Sequence, residues 1–314
     1  MKTSLSIDTL HAFTSRLTDA NRAFNARYPG ESGARQPVHT VYGGAHLFKA
    51  DTARKLGGLG LKTLEEYAST PVEFRDALGL PGDTAFAKIV YDRVIEKLKR
   101  EPIEDFRIDF EDGYGNRSDA EEDGHAAAAA LEVAKGMSEG VLPPFIGIRV
   151  KTFSEELKER AVRTLDIFLS TLAEKSGGRL PANFDVTIPK VTIPEQIALL
   201  VDLFEHFERT LGYAAGSLKV EAMIETTQSI LNARGESTIP HLMNAARGRL
   251  VAAHFGTYDY TAACNVTAAY QSIQHASCDF AKEVMQVTLA GTGVWISDGA
   301  TTLMPIAPHK AQKD

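Results

Sequence analysis

Acidic and basic side chains stand at regular points along this chain, each just after a short apolar run. "FRIDFEDGYG" (106–115) ends in Asp109, Glu111 and Asp112, more negative charge than the nearby Arg107 can neutralise. "FIGIRVK" ends in Arg149 and Lys151, and "FDVTIPK" in Lys190. "LKVEAMIETT" reaches Glu225, "LVAAHFGTYDYT" reaches Asp259 and "GVWISDGA" reaches Asp298. Charges that follow apolar strands are costly to desolvate without partners, so their recurrence points to a shared ligand. Two carboxylates, Glu225 and Asp259, with room for water are a usual way to hold Mg2+, which keeps several waters and takes few protein ligands. The planar fork of Arg149 suits a substrate carboxylate.

Each residue also has a plainer reading. Asp109 could form a structural pair with Arg107. Glu111 and Asp112 could be ordinary acids of a turn after a strand. Glu225 could start the helix in "TTQSILNAR", Asp259 could cap the next segment, and Lys190 could be solvated. His39, His46, His254 and His275 read as packing or hydrogen-bonding residues. The order of the charges, more than any one of them, carries the functional reading.

The elements that must position these residues follow a rhythm. Apolar runs with strand character occur at 38–42, Phe106–Phe110, Phe145–Val150, Phe184–Pro189, Leu218–Ile224, Leu250–Gly256 and Gly293–Ser297, with "TTLMPI" at 301–306 a weak eighth. Helical patterns lie between them: "AFAKIVYDRVIEKLKR", a segment opening at a candidate N-cap Ser154, and one bounded by Pro194 and Gly212. Such alternation predicts parallel strands joined by crossover helices. No GxGxxG or GxxxxGK[ST] follows any strand, which argues against a nucleotide-binding open sheet. The expected fold is therefore a closed (β/α)8 TIM barrel, whose site lies at the C-terminal ends of its strands. An amphipathic helix over roughly 7–28 is added before it, and 44–85 reads as a helical insertion after strand one. The expected division is an N-terminal helical extension, 1–36, and a catalytic barrel, 37–314.

Bulk properties narrow the function. A net charge of −7 and the lack of any basic tract exclude a nucleic-acid surface. Two cysteines, Cys264 and Cys278, give neither a disulfide framework nor a CxxC metal site. The opening "MKTSLSIDTLHAF" has no leading apolar run, and no stretch is long and apolar enough to span a bilayer. A cytoplasmic protein without membrane contact is expected.

"IDFEDGYG", "IGIRV", "VTIPK", "AMIETTQSI" and "AHFGTYDYT" follow one another in an order that resembles the citrate lyase beta-subunit-like family, among the HpcH/HpaI-type aldolases of the phosphoenolpyruvate/pyruvate barrels. That resemblance runs from about 38 to 300. It implies Mg2+ on Glu225 and Asp259, a substrate-carboxylate arginine at Arg149, an acidic pair at Glu111 and Asp112 acting through bound water, and a rim lysine at Lys190. It implies a carbon–carbon lyase that cleaves a small oxo- or hydroxy-acid, or its CoA thioester, through an enolate. A homo-oligomer, trimer or hexamer, is implied as well. Lys151 departs from the asparagine usual after the arginine strand, and the family's final G-x-x-G-[KD]-x-x-x-H-P segment is missing. Other enolate chemistry on phosphoenolpyruvate- or pyruvate-type substrates, and a barrel that binds a keto-acid without turnover, remain open alternatives.

Overall fold

The computed structural model describes residues 2–300. Seven strands form one sheet: β1 Thr40–Gly44, β2 Asp105–Asp109, β3 Phe145–Arg149, β4 Phe184–Ile188, β5 Lys219–Ile224, β6 Leu250–Phe255 and β7 Trp295–Ser297. They are hydrogen-bonded in sequence order, and every pair is parallel. Consecutive parallel strands need crossovers, which long helices supply: Thr84–Arg100, Asp119–Glu139, Lys158–Ser176, Pro194–Leu211 and Ala276–Leu289.

Alternation within each strand sets the two faces. Ile108, Ile146, Ile148, Val186 and Ile188 are fully buried and join the core with Leu165, Phe168, Leu200 and Phe204 of the helices. The intervening positions turn to the inside of the curved sheet, and many are charged. Local signals end the helices where the sequence places them. Ser118 and Glu121 form a capping box ahead of Asp119–Glu139, and Gly140 stops that helix in the left-handed conformation.

The closed eight-stranded TIM barrel expected from the sequence is corrected. The sheet stays open as a seven-stranded half-barrel, with its edges 8 Å apart. Closure needs every strand to have a neighbour on both sides in consistent stagger. Here β7 spans three residues and, among the described residues, ladders only with β6. The seam toward β1 is crossed by side chains: Gln36 Nε2 donates to the Ile296 carbonyl at 3.0 Å. The expected eighth strand at 301–306 lies outside the described residues.

Two helix boundaries also differ. The single helix expected over 7–28 is broken into Ile7–Thr14 and Thr18–Arg27 by a 3-10 turn. Thr14 and Ser15 hydroxyls donate back to the Leu10 and Ala12 carbonyls there, competing with the helical ladder. The helix expected from Ser154 starts at Lys158, whose N–H donates to the Ser154 carbonyl at 2.9 Å. Between 44 and 85 the chain forms helices Thr52–Tyr67 and Pro71–Leu78, the second opened by a Thr70–Glu73 capping box.

The middle of the lumen is held by Arg107, which is 1% exposed. Its guanidinium donates to Asp105, to Asp185 at 2.7 Å, to Glu221 at 3.2 Å and to Thr187 at 3.1 Å. The Arg107–Asp109 pair considered from sequence does not form; Arg107 turns toward the N-terminal ends of the strands and Asp109 away from them. Burial would raise the Glu221 carboxyl, but the adjacent Arg107 charge holds it below its ordinary value. Asp185 is driven well above the ordinary carboxylate range by burial. Arg107→Met would leave the Glu221 carboxylate buried and unpaired, and a loss of about 3–5 kcal/mol of stability is expected. Chemical unfolding measures it; an unchanged midpoint would show that Arg107 is dispensable.

Candidate active site

Asp109 organises the C-terminal end of β2. Its Oδ1 accepts the Glu111 N–H at 2.9 Å and its Oδ2 the Gly113 N–H at 2.7 Å, which folds "EDGYG" back over the strand. A side chain at Gly113 would place its Cβ 2.6 Å from Asp109 Oδ2, so the turn requires glycine. The same carboxylate grips Arg149 in bidentate fashion, Nε to Oδ1 at 2.7 Å and Nη2 to Oδ2 at 2.5 Å. The Arg149 guanidinium also lies over the Tyr42 ring, 4.7 Å from its centroid, and the Tyr42 hydroxyl donates to Glu221 at 3.3 Å. Two edges of the Arg149 fork are thus spent on Asp109. Nη1 alone faces the mouth, 3.3 Å from Glu111 Oε2 and 3.5 Å from the Met223 sulfur.

Lys190, just past β4, is where the remaining acids meet. Its Nζ bonds Glu111 Oε1 and lies 3.2 Å from Asp112 Oδ2 and 3.4 Å from Asp259 Oδ2. Its backbone N–H donates to Glu225 Oε1 at 2.7 Å. Lys190 adopts φ +51°, a left-handed conformation that costs a non-glycine residue roughly 1–3 kcal/mol and clusters at functional sites. Burial alone would lower the ammonium; contact with Glu111 outweighs it and holds Lys190 above its ordinary range.

Glu225 ends β5 and is 2% exposed. Burial pushes its carboxyl up to about 7, against the pull of Lys190 and with the Asp259 charge adding to the rise. Burial likewise raises Glu111. Asp259 sits in the first turn of the helix Thr257–Ala263 after β6, partly open to solvent. The six residues singled out from the sequence, Arg149, Glu111, Asp112, Lys190, Glu225 and Asp259, are therefore linked by direct contacts at one mouth. Lys151 and Asp298 lie outside this group. Lys151 Nζ donates to the Phe110 carbonyl at 2.7 Å and pairs with buried Glu122, fastening the β2 turn to the following helix. Asp298 faces Lys282 at 3.8 Å.

The structure adds Asp185, Glu221 and Tyr42, which support Arg107 and Arg149 from below and were not singled out as site residues. Their signal was positional: each occupies the lumen-facing alternate of its strand, in "FDVT", "KVEAM" and "TVYGG".

Among the described residues, no three His, Cys, Asp or Glu side chains converge closely enough to hold a metal by themselves. The donor set still fits a hard divalent ion. Mg2+ needs one or two carboxylates and fills its octahedron with water and substrate oxygens. Arg149 is shared between Asp109 and Glu111, and the ammonium of Lys190 faces Glu111, Asp112 and Asp259 together. Among the described residues, no helix is long and apolar enough to cross a membrane.

A model of the DUF6986 family, described as a domain of unknown function, matches residues 17–314. The chain belongs to this family. The DUF6986 match corrects the expected membership of the citrate lyase beta-subunit-like family: its short motifs mark positions at strand ends, and on their own they did not identify the family. No curated protein matches the DUF6986 chain. Similar solved structures include Haloferax volcanii malate synthase, native at 3 mM glyoxylate, at 16% identity and TM-score 0.49, covering 64% of this chain and 55% of that one. Its magnesium/glyoxylate complex gives the same values. A pyruvate/acetyl-CoA ternary complex of that enzyme gives 16% identity and TM-score 0.45, covering 63% and 50%. The DUF6986 chain thus spans about half the length of the malate synthase it resembles.

Gly256, between β6 and the Asp259 helix, limits how this mouth can change. A Cβ there would lie 2.5 Å from Glu225 Cβ and closer still to its carboxylate. Gly256→Ala is expected to displace Glu225 and, because the clash reaches Glu225 Cβ, to lower the melting temperature, with any Mg2+ affinity of this mouth falling about tenfold by calorimetry. Unchanged affinity would place the metal away from Glu225.

Proposed function

We propose that this protein uses a divalent cation, Mg2+, in carbon–carbon bond chemistry that passes through the enolate of a small oxo- or hydroxy-acid or its thioester. The observation that carries the reading is the meeting of Glu111, Asp112, Asp259 and Glu225 around Lys190, an excess of carboxylate that one ammonium does not balance.

Glu225 and Asp259 would hold the ion, and Glu111 and Asp112 would act through its waters. Bound there, Mg2+ supplies Lewis-acid stabilisation of a developing enolate oxygen. The chain's own groups do the rest. Arg149, fixed by Asp109 and the Tyr42 ring, presents Nη1 to a substrate carboxylate once Glu111 turns aside, and its rigid seat sets the substrate's orientation. Glu111, raised by burial and accepting from Lys190 Nζ at Oε1, is placed to take a proton from the carbon next to the carbonyl and to return it. Lys190 steadies the negative charge left on Glu111 after transfer.

Glu225→Gln and Asp259→Asn should each weaken Mg2+ binding in calorimetry and lower turnover by about 10²-fold or more. The assay would offer oxaloacetate, pyruvate and short acyl thioesters with Mg2+. Full metal affinity and turnover in both variants would overturn the assignment. Tight oxo-acid binding without product would reassign the mouth as a binding site.

A further inference from the structure

At the opposite pole, under the N-terminal ends of β4, β5 and β7, lies a cavity of about 620 Å³. Leu180, Val251 and Trp295 give it apolar walls, and Lys219, Arg179 and Asn183 bring polar groups to it. Trp295 is held edge-on against Phe145, with ring centroids 5.9 Å apart.

The charges in this cavity do not cancel. Asp185 and Lys219 are direct neighbours in register on β4 and β5. Asp185 nevertheless turns its Oδ2 to Arg107 at 2.7 Å. Among the described residues, Lys219 has no carboxylate within salt-bridge range. Asp185 Oδ1 and Ser217 Oγ are both buried with no hydrogen-bond partner, although Asp185 is only 3% exposed. Buried polar atoms are ordinarily satisfied, and exceptions concentrate where a ligand or water belongs.

We propose that this cavity is a second ligand site, which takes a small monocarboxylate with an apolar body: the carboxylate toward the Lys219 and Arg179 cations, the body against Val251 and Trp295. Lys219 and Arg179 both line the cavity, neither within salt-bridge range of a carboxylate among the described residues, and they supply the positive charge that an anionic group needs. A pocket of this size with few convergent polar groups is the usual form of a small-molecule site. The proposal is independent of the chemistry assigned to the C-terminal mouth.

Trp295 is the only tryptophan in the chain, so its fluorescence reports occupancy directly. The full-length protein would be titrated, without Mg2+, with hexanoate, hexanol and hexylamine. Hexanoate should give a saturable change, with the alcohol and amine at least tenfold weaker. Lys219→Met, which keeps the apolar stem, and Val251→Phe, which fills the cavity, should each raise the hexanoate Kd at least tenfold. Melting curves establish that both variants are folded. No saturable change in the wild-type protein would overturn the site. Equal affinity for hexanol, or an unchanged Kd in Val251→Phe, would do the same.

Discussion

Lys190 is the residue on which the C-terminal mouth depends. Its backbone N–H fixes Glu225, and its ammonium draws Glu111, Asp112 and Asp259 inward. Without a cation at that point, four carboxyl side chains from three strand ends would repel one another and part. A single ammonium organises the acids without neutralising them. The left-handed backbone of Lys190 is consistent with that demand, because strain at a non-glycine residue persists only where the surroundings over-determine it.

Below the mouth, the lumen solves the same problem differently. Arg107 donates to Asp105, Asp185 and Glu221; burial raises both aspartates, while the Arg107 charge holds Glu221 below its ordinary value. One buried guanidinium is thus in direct contact with three carboxyl groups, which suits a static post. Tyr42 joins the layers, with its hydroxyl on Glu221 and its ring beneath Arg149. The layers therefore differ in access: the middle is buried throughout, and the top opens to solvent at Lys190, Asp112 and Asp259.

Much of this was legible in the sequence. The seven strand positions follow from apolar alternation, and charged residues just after those strands are what the mouth contains. Partner choice was not legible. Arg107 and Asp109 are close in sequence and share a face, yet one turns down and the other up, because Asp185 and Glu221 wait in one layer and Arg149 in the next. Those partners come from strands about 40 to 114 residues away, a separation that local pattern does not encode. Closure was over-read for a similar reason: repeated units suggest a full barrel, but the length and partners of the last strands decide it, and β7 is short. The family was over-read because acids after strands two, five and six follow from building a site at strand ends, whichever family builds it.

The central claim is most directly tested by a crystal structure of the protein grown with Mn2+ in place of Mg2+, located by anomalous scattering. The account predicts one peak about 2.0–2.2 Å from carboxylate oxygens of both Glu225 and Asp259, with the Lys190 ammonium moved away from Asp259. A peak bound by neither residue, or a mouth in which Lys190 still bridges Glu111, Asp112 and Asp259 at saturating Mn2+, would contradict it.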